Sequence, residues 1–370
     1  MKVLVTGGAG FIGSHLVDRL VGDGHEVIVI DSLEEQVHGS RKPDYLNDGA
    51  KYHFASIHND GLVQKILDGV EVVFHQAAAV GVGQSMYEIG RYVDMNTLGT
   101  AKLLGSIARM KDKIKKLIVA SSMSIYGEGA YECDACGMVY PDLRTDEQLA
   151  RRDWEMKCPS CGKPVRKVAT SEDKPLKPTS VYAITKRDQE ELCLTVGRAY
   201  GIPAVSLRYF NVYGPRQSLS NPYTGVAAIF SSRLKNGNPP IIFEDGNQSR
   251  DLVSVHDIVE ANIIAMKSRE ADFRSFNVGT GNTVTIMQVA RTLADLLGKD
   301  IEPVIAGKYR SGDIRHCFAD IGSIRKLGFE PKVGFKEGVR ELVEWSEGQQ
   351  ATDRYDQAKQ ELSERGLISG

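Results

Sequence analysis

Short apolar runs alternate with amphipathic segments through the first half of the chain. The runs have the length of strands and are flanked by turn residues, whereas the segments between them repeat their apolar positions with a helical period. Strands that are apolar on both faces predict a mostly parallel sheet covered by helices, which is a doubly wound α/β fold. The predicted strands are Lys2–Thr6, Glu26–Asp31, Tyr52–Ile57, Val72–His75, Lys116–Ser121 and Ala204–Tyr209, and the predicted helices are Phe11–Gly24, Gly61–Gly69, Tyr92–Met110 and Val181–Tyr200.

Two changes in this pattern divide the chain. Residues 128–177 carry paired cysteines, charges and prolines, and so long a stretch without regular structure predicts an insert with its own organiser. After Tyr213 the sequence is irregular and richer in Gly, Pro and Asn, which predicts a smaller α/β lobe that binds substrate. The predicted domains are 1–127 with 178–213 for the sheet domain, 128–177 for the insert, 214–350 for the second lobe, some of whose segments return to the sheet domain, and 351–370 for a charged helical tail in solvent.

Composition excludes several classes of function. The 370 residues carry a formal net charge of −2, which argues against binding to nucleic acid or an anionic membrane through bulk electrostatics. No apolar run reaches the roughly 18 residues that a membrane-spanning helix needs. The first strand runs directly into glycines, unlike a secretory signal. We therefore expect a cytoplasmic protein with no nucleic-acid or membrane partner.

A glycine motif follows the first predicted strand and opens the first predicted helix. In "VTGGAGFIGSHL", Gly7, Gly10 and Gly13 have the spacing of a phosphate-binding loop. Glycines allow a tight turn and a close approach of the backbone to a pyrophosphate, and the helix N-terminus offers free N–H groups. The motif alone could be a glycine-rich turn, but its position between strand and helix predicts dinucleotide binding in a Rossmann-type domain.

Asp31 ends the second predicted strand, where a carboxylate can accept hydrogen bonds from both hydroxyls of the adenosine ribose. The same carboxylate would repel a 2′-phosphate, so the sequence predicts NAD rather than NADP. Arg41 and Lys42 could favour NADP, but they lie farther along the loop.

The segment "SVYAITKRD" offers a candidate base for catalysis. Tyr182 and Lys186 are four residues apart on a predicted helix and therefore share one face. An unperturbed tyrosine has a pKa near 10, about three units too high for a base at neutral pH, and a neighbouring ammonium or a cationic nicotinamide favours the phenolate. A chance Tyr and Lys on a helix surface is the alternative.

Several further motifs occur in a fixed order along the chain and carry a family resemblance. With the glycine loop and "PTSVYAITK", they resemble the extended short-chain dehydrogenase/reductase family, specifically its nucleotide-sugar epimerases and dehydratases. The resemblance covers roughly residues 1–345 apart from the cysteine-containing insert. The motifs are "HQAAAVGV" (75–82), "DMNTLGT" (94–100), "ASSMSIYG" (120–127), "RYFNVYGPR" (208–216), "RDLVSVHD" (250–257) and "RSGDIR" (310–315).

The resemblance implies roles for individual residues. Ser122 would hydrogen-bond the reacting hydroxyl, Tyr182 would be the general base, and Lys186 would lower the pKa of the tyrosine and hold the nicotinamide ribose. The implied NAD-binding residues are Gly7, Gly10, Phe11, Ile12, Gly13, Asp31, Ser32, Ser56, Ile57, Gln76, Ala77, Ala78, Asn96, Tyr182, Lys186 and Tyr209. The implied contacts of a nucleotide-diphosphate sugar are Ser122, Ser124, Asn211, Arg250, Arg310 and Asp313, although the two arginines could instead be solvated charges.

The residues after Ser122 favour an epimerase over a dehydratase. Sugar 4,6-dehydratases of the family carry an Asp–Glu pair there, because elimination of water needs an extra acid and base. This chain has Met123–Ser124 instead, which predicts oxidation and reduction at C4 of the sugar through a transient 4-keto sugar. The remaining alternatives are a dehydratase, a net oxidoreductase that releases NADH, and a non-catalytic NAD-binding scaffold.

The sugar itself is indicated only by resemblance. "NPYTGVAAIF" (221–230), "IIFEDGNQSRDLVSVHD" (241–257) and the insert resemble the dTDP-L-rhamnose 4-epimerase branch, which interconverts dTDP-L-rhamnose and dTDP-6-deoxy-L-talose. The 4-epimerases of UDP-glucose, UDP-N-acetylglucosamine and UDP-glucuronate share much of the pattern and remain open. The family also implies a homodimer formed partly by the Tyr182 helix.

Two cysteine pairs organise the insert. Cys133 and Cys136 form one C-x-x-C pair, Cys158 and Cys161 form the other, and each pair is followed by glycine, as in the knuckles of a zinc ribbon. Four thiolates close a tetrahedral site and leave no open position, so we expect a structural zinc ion. Iron, free thiols or a redox pair remain alternatives. Because the insert lies between Ser122 and Tyr182 in the sequence, it could form a lid or rim over the sugar, or a partner surface.

Overall fold

The centre of the protein is a parallel sheet of seven strands. The computed structural model describes residues 1–39, 41–310 and 312–369, so Ser311 of "RSGDIR" and Gly370 of the tail lie outside the described residues. In spatial order the strands are Arg274–Val278, Ala204–Tyr209, Lys116–Ser122, Val72–His75, Lys2–Thr6, Glu26–Asp31 and Ala50–Phe54. Every neighbouring pair is parallel. The predicted doubly wound α/β fold is confirmed.

The predicted strands agree closely with the observed ones. Four have the expected bounds, and the fifth continues one residue further, to Ser122. The prediction of Tyr52–Ile57 was wrong by two to three residues, because the strand Ala50–Phe54 pairs in register with Val27–Asp31 and the chain then turns away. The edge strand Arg274–Val278 comes from the second half of the chain and was not predicted.

Helices cover both faces of the sheet, and each face has its own apolar core. One core contains Leu16, Val17 and Leu20 of the first helix packed with Ile258 and Val259. The other lies beneath the helices on the opposite face. Within the described residues, no helix is both long and apolar enough to cross a membrane. The helices on the two faces are Phe11–Gly22, Asp60–Ile66, Gly99–Arg109, Val181–Tyr200 and Val255–Lys267, and two short ones, Glu35–His38 and Val82–Ser85, lie in loops at the carboxyl edge.

The predicted helix Tyr92–Met110 is interrupted. The chain forms an α-helical turn at Ile89–Tyr92, a π-helix at Val93–Leu98 and an α-helix at Gly99–Arg109. The π-helix contains Asn96, a fully buried residue whose side chain bonds the backbone of Ala79 and the hydroxyl of Thr185. Periodicity in the sequence does not reveal this interruption, because the apolar positions stay helical on either side of it.

The second lobe is a small α/β unit beside the carboxyl edge of the sheet. Three helices, Val226–Lys235, Ile286–Leu296 and Phe335–Glu347, share one apolar core. The remaining elements are the paired strands Asn211–Tyr213 with Leu252–Ser254, Ile241–Ile242 with Val304–Ile305, and Ser249–Arg250 with Val284–Thr285 and His316–Cys317. The short helix Gly322–Arg325 packs instead on the sheet domain, beside the strand Arg274–Val278.

The insert forms a miniature domain. Its antiparallel sheet has the order Gly137–Val139, Ala130–Cys133, Arg166–Val168, and a short helix follows at Asp146–Ala150. A small core of Tyr131, Cys133, Val139, Met156 and Cys158 lies beneath the sheet. So few apolar side chains cannot stabilise a domain by burial alone. We therefore expect the cysteine cluster to stabilise the fold of the insert.

The C-terminal segment (351–369) is not in solvent, and that expectation was wrong. Its helix, Tyr355–Glu364, buries Ala358 and Leu362 against the rest of the protein. Its last strand, Ile368–Ser369, pairs antiparallel with Tyr309–Arg310 of the second lobe. The helical tendency was predicted correctly, but two apolar residues four positions apart among many charges were too weak a signal for packing.

Candidate active site

The glycine loop adopts a conformation that only glycine allows. Gly7 has φ +69°, and a Cβ there would lie 2.8 Å from the backbone of Ala77. A Cβ on Gly13 would lie 2.1 Å from the carbonyl oxygen of Gly7. The first helix begins directly after Gly10, which has no capping side chain, so the N–H groups of its first turn remain available to phosphate oxygens.

A cavity of about 450 Å³ opens at the carboxyl edge of the sheet, where doubly wound folds bind their ligands. Fifteen of the sixteen predicted cofactor residues line it, the exception being Asn96. Asn96 lies behind the residues that line the cavity. Its side chain bonds Ala79 and Thr185, so Asn96 supports the lining of the cavity. The lining residues are Gly7, Gly10, Phe11, Ile12, Gly13, Asp31, Ser32, Ser56, Ile57, Gln76, Ala77, Ala78, Tyr182, Lys186 and Tyr209.

Asp31 is held at the edge of this cavity by two backbone N–H groups. Ala9 and Leu33 each donate to its carboxylate at 2.9 Å, and the side chain is buried. A carboxylate fixed at this edge, with glycines beside it, suits the adenosine half of NAD. The donor set and the shape of the loop therefore fit the cofactor that the sequence predicts.

Ser122, Ser124 and Tyr182 meet at the inner end of the cavity. Ser122 ends the third strand from the sheet edge, and its hydroxyl accepts bonds from the backbone N–H and the hydroxyl of Ser124, at 3.1 Å and 2.9 Å. Tyr182 lies in the first turn of the helix Val181–Tyr200, which Ser180 caps. Burial raises the pKa of Tyr182 to about 12, and a hydrogen bond with Ser122 acts to lower it.

Lys186 lines the same cavity but does not pair with Tyr182. Its ammonium donates to the carbonyl oxygen of Ala120 and, at 2.7 Å, to the side-chain oxygen of Gln189. Burial lowers the pKa of Lys186 to about 7. The i, i+4 spacing brings both side chains into one cavity, and the group that acts to lower the pKa of Tyr182 there is the hydroxyl of Ser122.

A second cavity, of about 310 Å³, lies between the sheet domain and the second lobe. Ser124 and Asn211 line both cavities, so the two join beside Ser122 and Tyr182. The other predicted substrate residues, Arg250, Arg310 and Asp313, line the second cavity. The structure thus brings all six predicted substrate residues to the junction or to the second cavity.

The two arginines of the second cavity are held differently. Arg250 donates to the carbonyl oxygens of Ser249, Arg315 and Ile314 at 2.8–3.0 Å, so it also pins the segment that follows Arg310. Arg310 bonds Asp313 at 2.9 Å and lies 4.9 Å above the ring of Phe243. About 42% of its side chain is exposed, which leaves its remaining N–H groups accessible to an anion.

Sequence patterns did not identify every residue of the second cavity. Tyr355 and Lys359 of the C-terminal segment line it, as does Tyr223 of the second lobe. The segment lies far along the chain from every motif, so only the tertiary structure brings these residues to the site. By contrast, no residue of 128–177 belongs to the described lining of either cavity, so the lining gives no support to a lid over the sugar.

The four paired cysteines form a metal-binding geometry. All four sulfur atoms lie within 4.8 Å of one another, and those of Cys133 and Cys161 are 3.6 Å apart. Tetrahedral coordination with zinc–sulfur bonds of about 2.3 Å requires sulfur–sulfur distances of about 3.8 Å. Gly137 and Gly162 both have φ +71°, as the knuckle turns require. The cluster therefore fits a four-thiolate metal ion.

A buried ionic network docks the insert on the second lobe. Arg144 of the insert forms two bonds of 2.8 Å to the carboxylate of Glu244 and donates to the carbonyl oxygen of Asp313 at 3.1 Å. Arg315, which is fully buried, bonds Glu244 at 2.9 Å and Glu155 of the insert at 3.1 Å. The insert thus braces the segment 310–316, which carries two predicted substrate residues.

The fold and the joined cavities define a class of protein: an enzyme that binds a dinucleotide at the carboxyl edge of a doubly wound sheet and a second ligand against it. A sequence profile described as the NAD dependent epimerase/dehydratase family matches residues 3–143 and 158–279. The chain belongs to this family, and its class of enzyme is the NAD-dependent nucleotide-sugar epimerase. The family resemblance of the ordered motifs is confirmed.

Several relatives that match nearly the whole chain are 4-epimerases that differ in the sugar nucleotide. The dTDP-L-rhamnose 4-epimerase of Burkholderia thailandensis is 35% identical over 349 residues, covering 93% of this chain and 94% of the relative. The structure of UDP-glucose 4-epimerase from Thermotoga maritima with UDP-glucose is 35% identical, with a TM-score of 0.77 over 94% of this chain and 99% of that one. The Thermus thermophilus UDP-glucose 4-epimerase in complex with NAD is 32% identical, with a TM-score of 0.74 over 95% and 100%.

Proposed function

We propose that the protein is a nucleotide-sugar 4-epimerase that interconverts dTDP-L-rhamnose and dTDP-6-deoxy-L-talose. The observation that carries the 4-epimerase chemistry is that Ser122, Ser124 and Tyr182 line one cavity beside its junction with the second. Met123 and Ser124 stand where a dehydratase needs a carboxylate pair, which supports epimerisation without loss of water. The similarity to the Burkholderia thailandensis enzyme supports the rhamnose nucleotide.

In this proposal the side chains at the junction bind the sugar and move one proton. Ser122 orients the 4-hydroxyl group, and the phenolic oxygen of Tyr182 takes its proton and later returns it. NAD, which the glycine loop and Asp31 would hold, would supply the hydride chemistry at C4 when bound. Lys186, which lines the same cavity, holds the ribose of the cofactor. Asn211, Arg250, Arg310 and Asp313 hold the nucleotide half while the sugar rotates.

A UDP-sugar 4-epimerase is the second candidate, because the solved neighbours from Thermotoga maritima and Thermus thermophilus are UDP-glucose 4-epimerases. Incubation with a panel of dTDP- and UDP-sugars, followed by NMR, separates the two candidates. We expect inversion at C4 of dTDP-L-rhamnose with no free NADH. Inversion of UDP-glucose, UDP-N-acetylglucosamine or UDP-glucuronate alone would replace the rhamnose proposal. Accumulation of free NADH would instead indicate a net oxidoreductase.

We also propose that the metal in the cysteine cluster is zinc and that its role is structural. The sulfur geometry supports a closed site of four thiolates, and none of the four cysteines belongs to the described lining of the two cavities. Elemental analysis of the purified protein tests the metal, with about one zinc ion expected per chain. A red protein with visible charge-transfer absorption would indicate iron instead.

We further propose a homodimer that pairs the Tyr182 helix with the interrupted helix beside it. Val93, Leu98 and Ile184 leave 43–47% of their surface exposed on these two neighbouring helices, and an isolated surface rarely presents so many large apolar groups together. Light scattering should give the mass of two chains, and Ile184→Asp should halve it. Val304→Asp is the matched control, since Val304 is 45% exposed on the other lobe and should leave the mass unchanged.

A further inference from the structure

The C-terminal segment (351–369) spans the mouth of the second cavity. Its residue Glu361 accepts hydrogen bonds of 2.8 Å from Tyr87 of the sheet domain and from Tyr223 of the second lobe. The guanidinium of Arg365 lies 4.3 Å above the ring of Tyr87. One short helix therefore links both sides of the cavity, and its position is set by contacts to each of them.

Both ends of the segment are also tied to the second lobe. At its start, Asp353 accepts bonds from Arg233 at 3.2 Å and from Asn238 at 2.7 Å. At its end, Ile368 lies opposite Arg310 in a two-stranded antiparallel ladder. The strand that carries a predicted phosphate ligand is thus paired with the segment, so the segment and the ligand cannot move independently.

Two polar side chains of the segment line the cavity without partners of their own. The ammonium of Lys359 forms no ion pair among the described residues, although Arg250 and Arg310 line the same cavity. The hydroxyl of Tyr355 is buried and has no hydrogen-bond partner within the described part of the chain. Its ring packs 4.5 Å from the guanidinium of Arg233.

Such an arrangement favours an anionic ligand. Three cations around one cavity repel each other unless negative charge lies between them, and Asp313 offsets only Arg310. A buried hydroxyl without an acceptor is unfavourable unless a ligand oxygen completes the bond. Burial raises the pKa of Tyr355 to about 12, so its hydroxyl keeps its proton and can donate at neutral pH.

We propose that the C-terminal segment is part of the substrate site, and that Lys359 and Tyr355 bind the diphosphate of the nucleotide sugar. Lys359 supplies a third positive charge, and Tyr355 donates a hydrogen bond to a phosphate oxygen. This inference rests on the proposed nucleotide-sugar function, and it adds two ligands from a segment outside every motif of the chain.

Direct binding of dTDP and UDP, measured by calorimetry on the full-length protein, tests this inference without relying on turnover. Lys359→Met should weaken binding of the nucleotide about tenfold, because it removes a charged bond to phosphate. The loss should be larger at low salt than at high salt, since salt screens the attraction. Arg354→Met is the matched control: Arg354 is an exposed cation of the same segment that does not line the cavity, so binding should not change.

Tyr355→Phe separates a ligand contact from a structural role. Loss of an unpartnered hydroxyl should leave the Tm unchanged or raise it, whereas binding of the nucleotide should weaken several-fold. A lower Tm with unchanged binding would mean that Tyr355 serves only the packing of the segment and would overturn its role as a ligand. The amount of NAD that copurifies should stay the same in all three variants.

The outcomes also separate this inference from the proposed function. If the wild-type protein binds dTDP or UDP and Lys359→Met binds it equally well, the diphosphate role of Lys359 is wrong and the epimerase proposal stands. A weakening by Lys359→Met that does not depend on salt would also overturn the charge contact. If the wild-type protein binds neither nucleotide, both proposals fail together.

Discussion

At the scale of single residues, the chemistry depends on a tyrosine that is a poor base in its own surroundings. Burial raises the pKa of Tyr182 to about 12, and within the described residues the bond from Ser122 is the contact that lowers it. The sequence predicted both residues, but it predicted Lys186 as the neighbour that lowers this pKa. The ammonium of Lys186 instead bonds Ala120 and Gln189, and which acceptors a flexible lysine reaches is decided by packing.

Tyr182→Phe should reduce kcat by about 10² to 10⁴, because it removes the group proposed to take the 4-hydroxyl proton. Turnover of the nucleotide sugar by NMR measures the loss, and the content of bound NAD should stay the same. Tyr200→Phe is the control, since Tyr200 lies at the exposed end of the same helix. Full turnover by Tyr182→Phe would contradict the mechanism.

Ser122→Ala should move the acid limb of the pH–rate profile to higher pH. The hydrogen bond from Ser122 favours the phenolate, so its loss raises the pKa of Tyr182, and the base form then requires a higher pH. Ser122→Thr keeps the hydroxyl and should restore the profile of the wild type. An unchanged limb in Ser122→Ala would mean that this bond does not tune the tyrosine.

At the scale of elements, the insert bonds the backbone of Asp313 and does not belong to the described lining of either cavity. The cysteine spacing alone predicted that the four cysteines cluster, because two C-x-x-C pairs with following glycines specify the knuckles. The docking of the insert was not predictable, since Arg144, Glu155, Glu244 and Arg315 are separated in sequence and look like ordinary surface charges.

Removal of the metal should lower the Tm and raise KM for the nucleotide sugar, while bound NAD is retained. Cys158→Ser or a strong chelator opens the four-thiolate site, and the loosened insert no longer supports Asp313 through Arg144. Calorimetric melting, steady-state kinetics and the content of bound NAD measure the three effects, and elemental analysis checks that the metal is gone. Asp134→Ala, an exposed change between Cys133 and Cys136, should alter none of them. Metal loss with unchanged melting and KM would refute the bracing role.

At the scale of the whole molecule, one buried carboxylate joins the insert to the second lobe. The side chains of Arg144 and Glu244 are only 1% and 2% exposed, and Glu244 compensates the charges of both Arg144 and the fully buried Arg315. The apolar face of the C-terminal helix plays the same joining role on the other side of the second cavity, with Leu362 against Gly83. Both links hold separate parts of the chain around the substrate site.

Glu244→Gln should lower the free energy of unfolding by about 3 kcal/mol, because Arg144 remains buried without a carboxylate partner. Glu132→Gln is the matched control: its partner Arg166 has 64% of its side chain exposed, and such surface pairs contribute about 1 kcal/mol or less. Urea unfolding of both variants measures the difference. Equal effects would mean that the buried pair does not hold the insert to the lobe.

The sequence by itself determined the doubly wound sheet, the glycine loop, the acidic strand end, the Ser–Tyr–Lys set and the cysteine cluster. Each of these features follows from a local sequence pattern, because backbone conformation, helix periodicity and ligand spacing are set by residues close together in the chain. Only the tertiary structure decided the π-helix at Asn96, the partners of Lys186, the docking of the insert and the place of Tyr355 and Lys359 in the lining of the second cavity. Those features depend on contacts between residues far apart in the chain, and such contacts leave no periodic signal in the sequence.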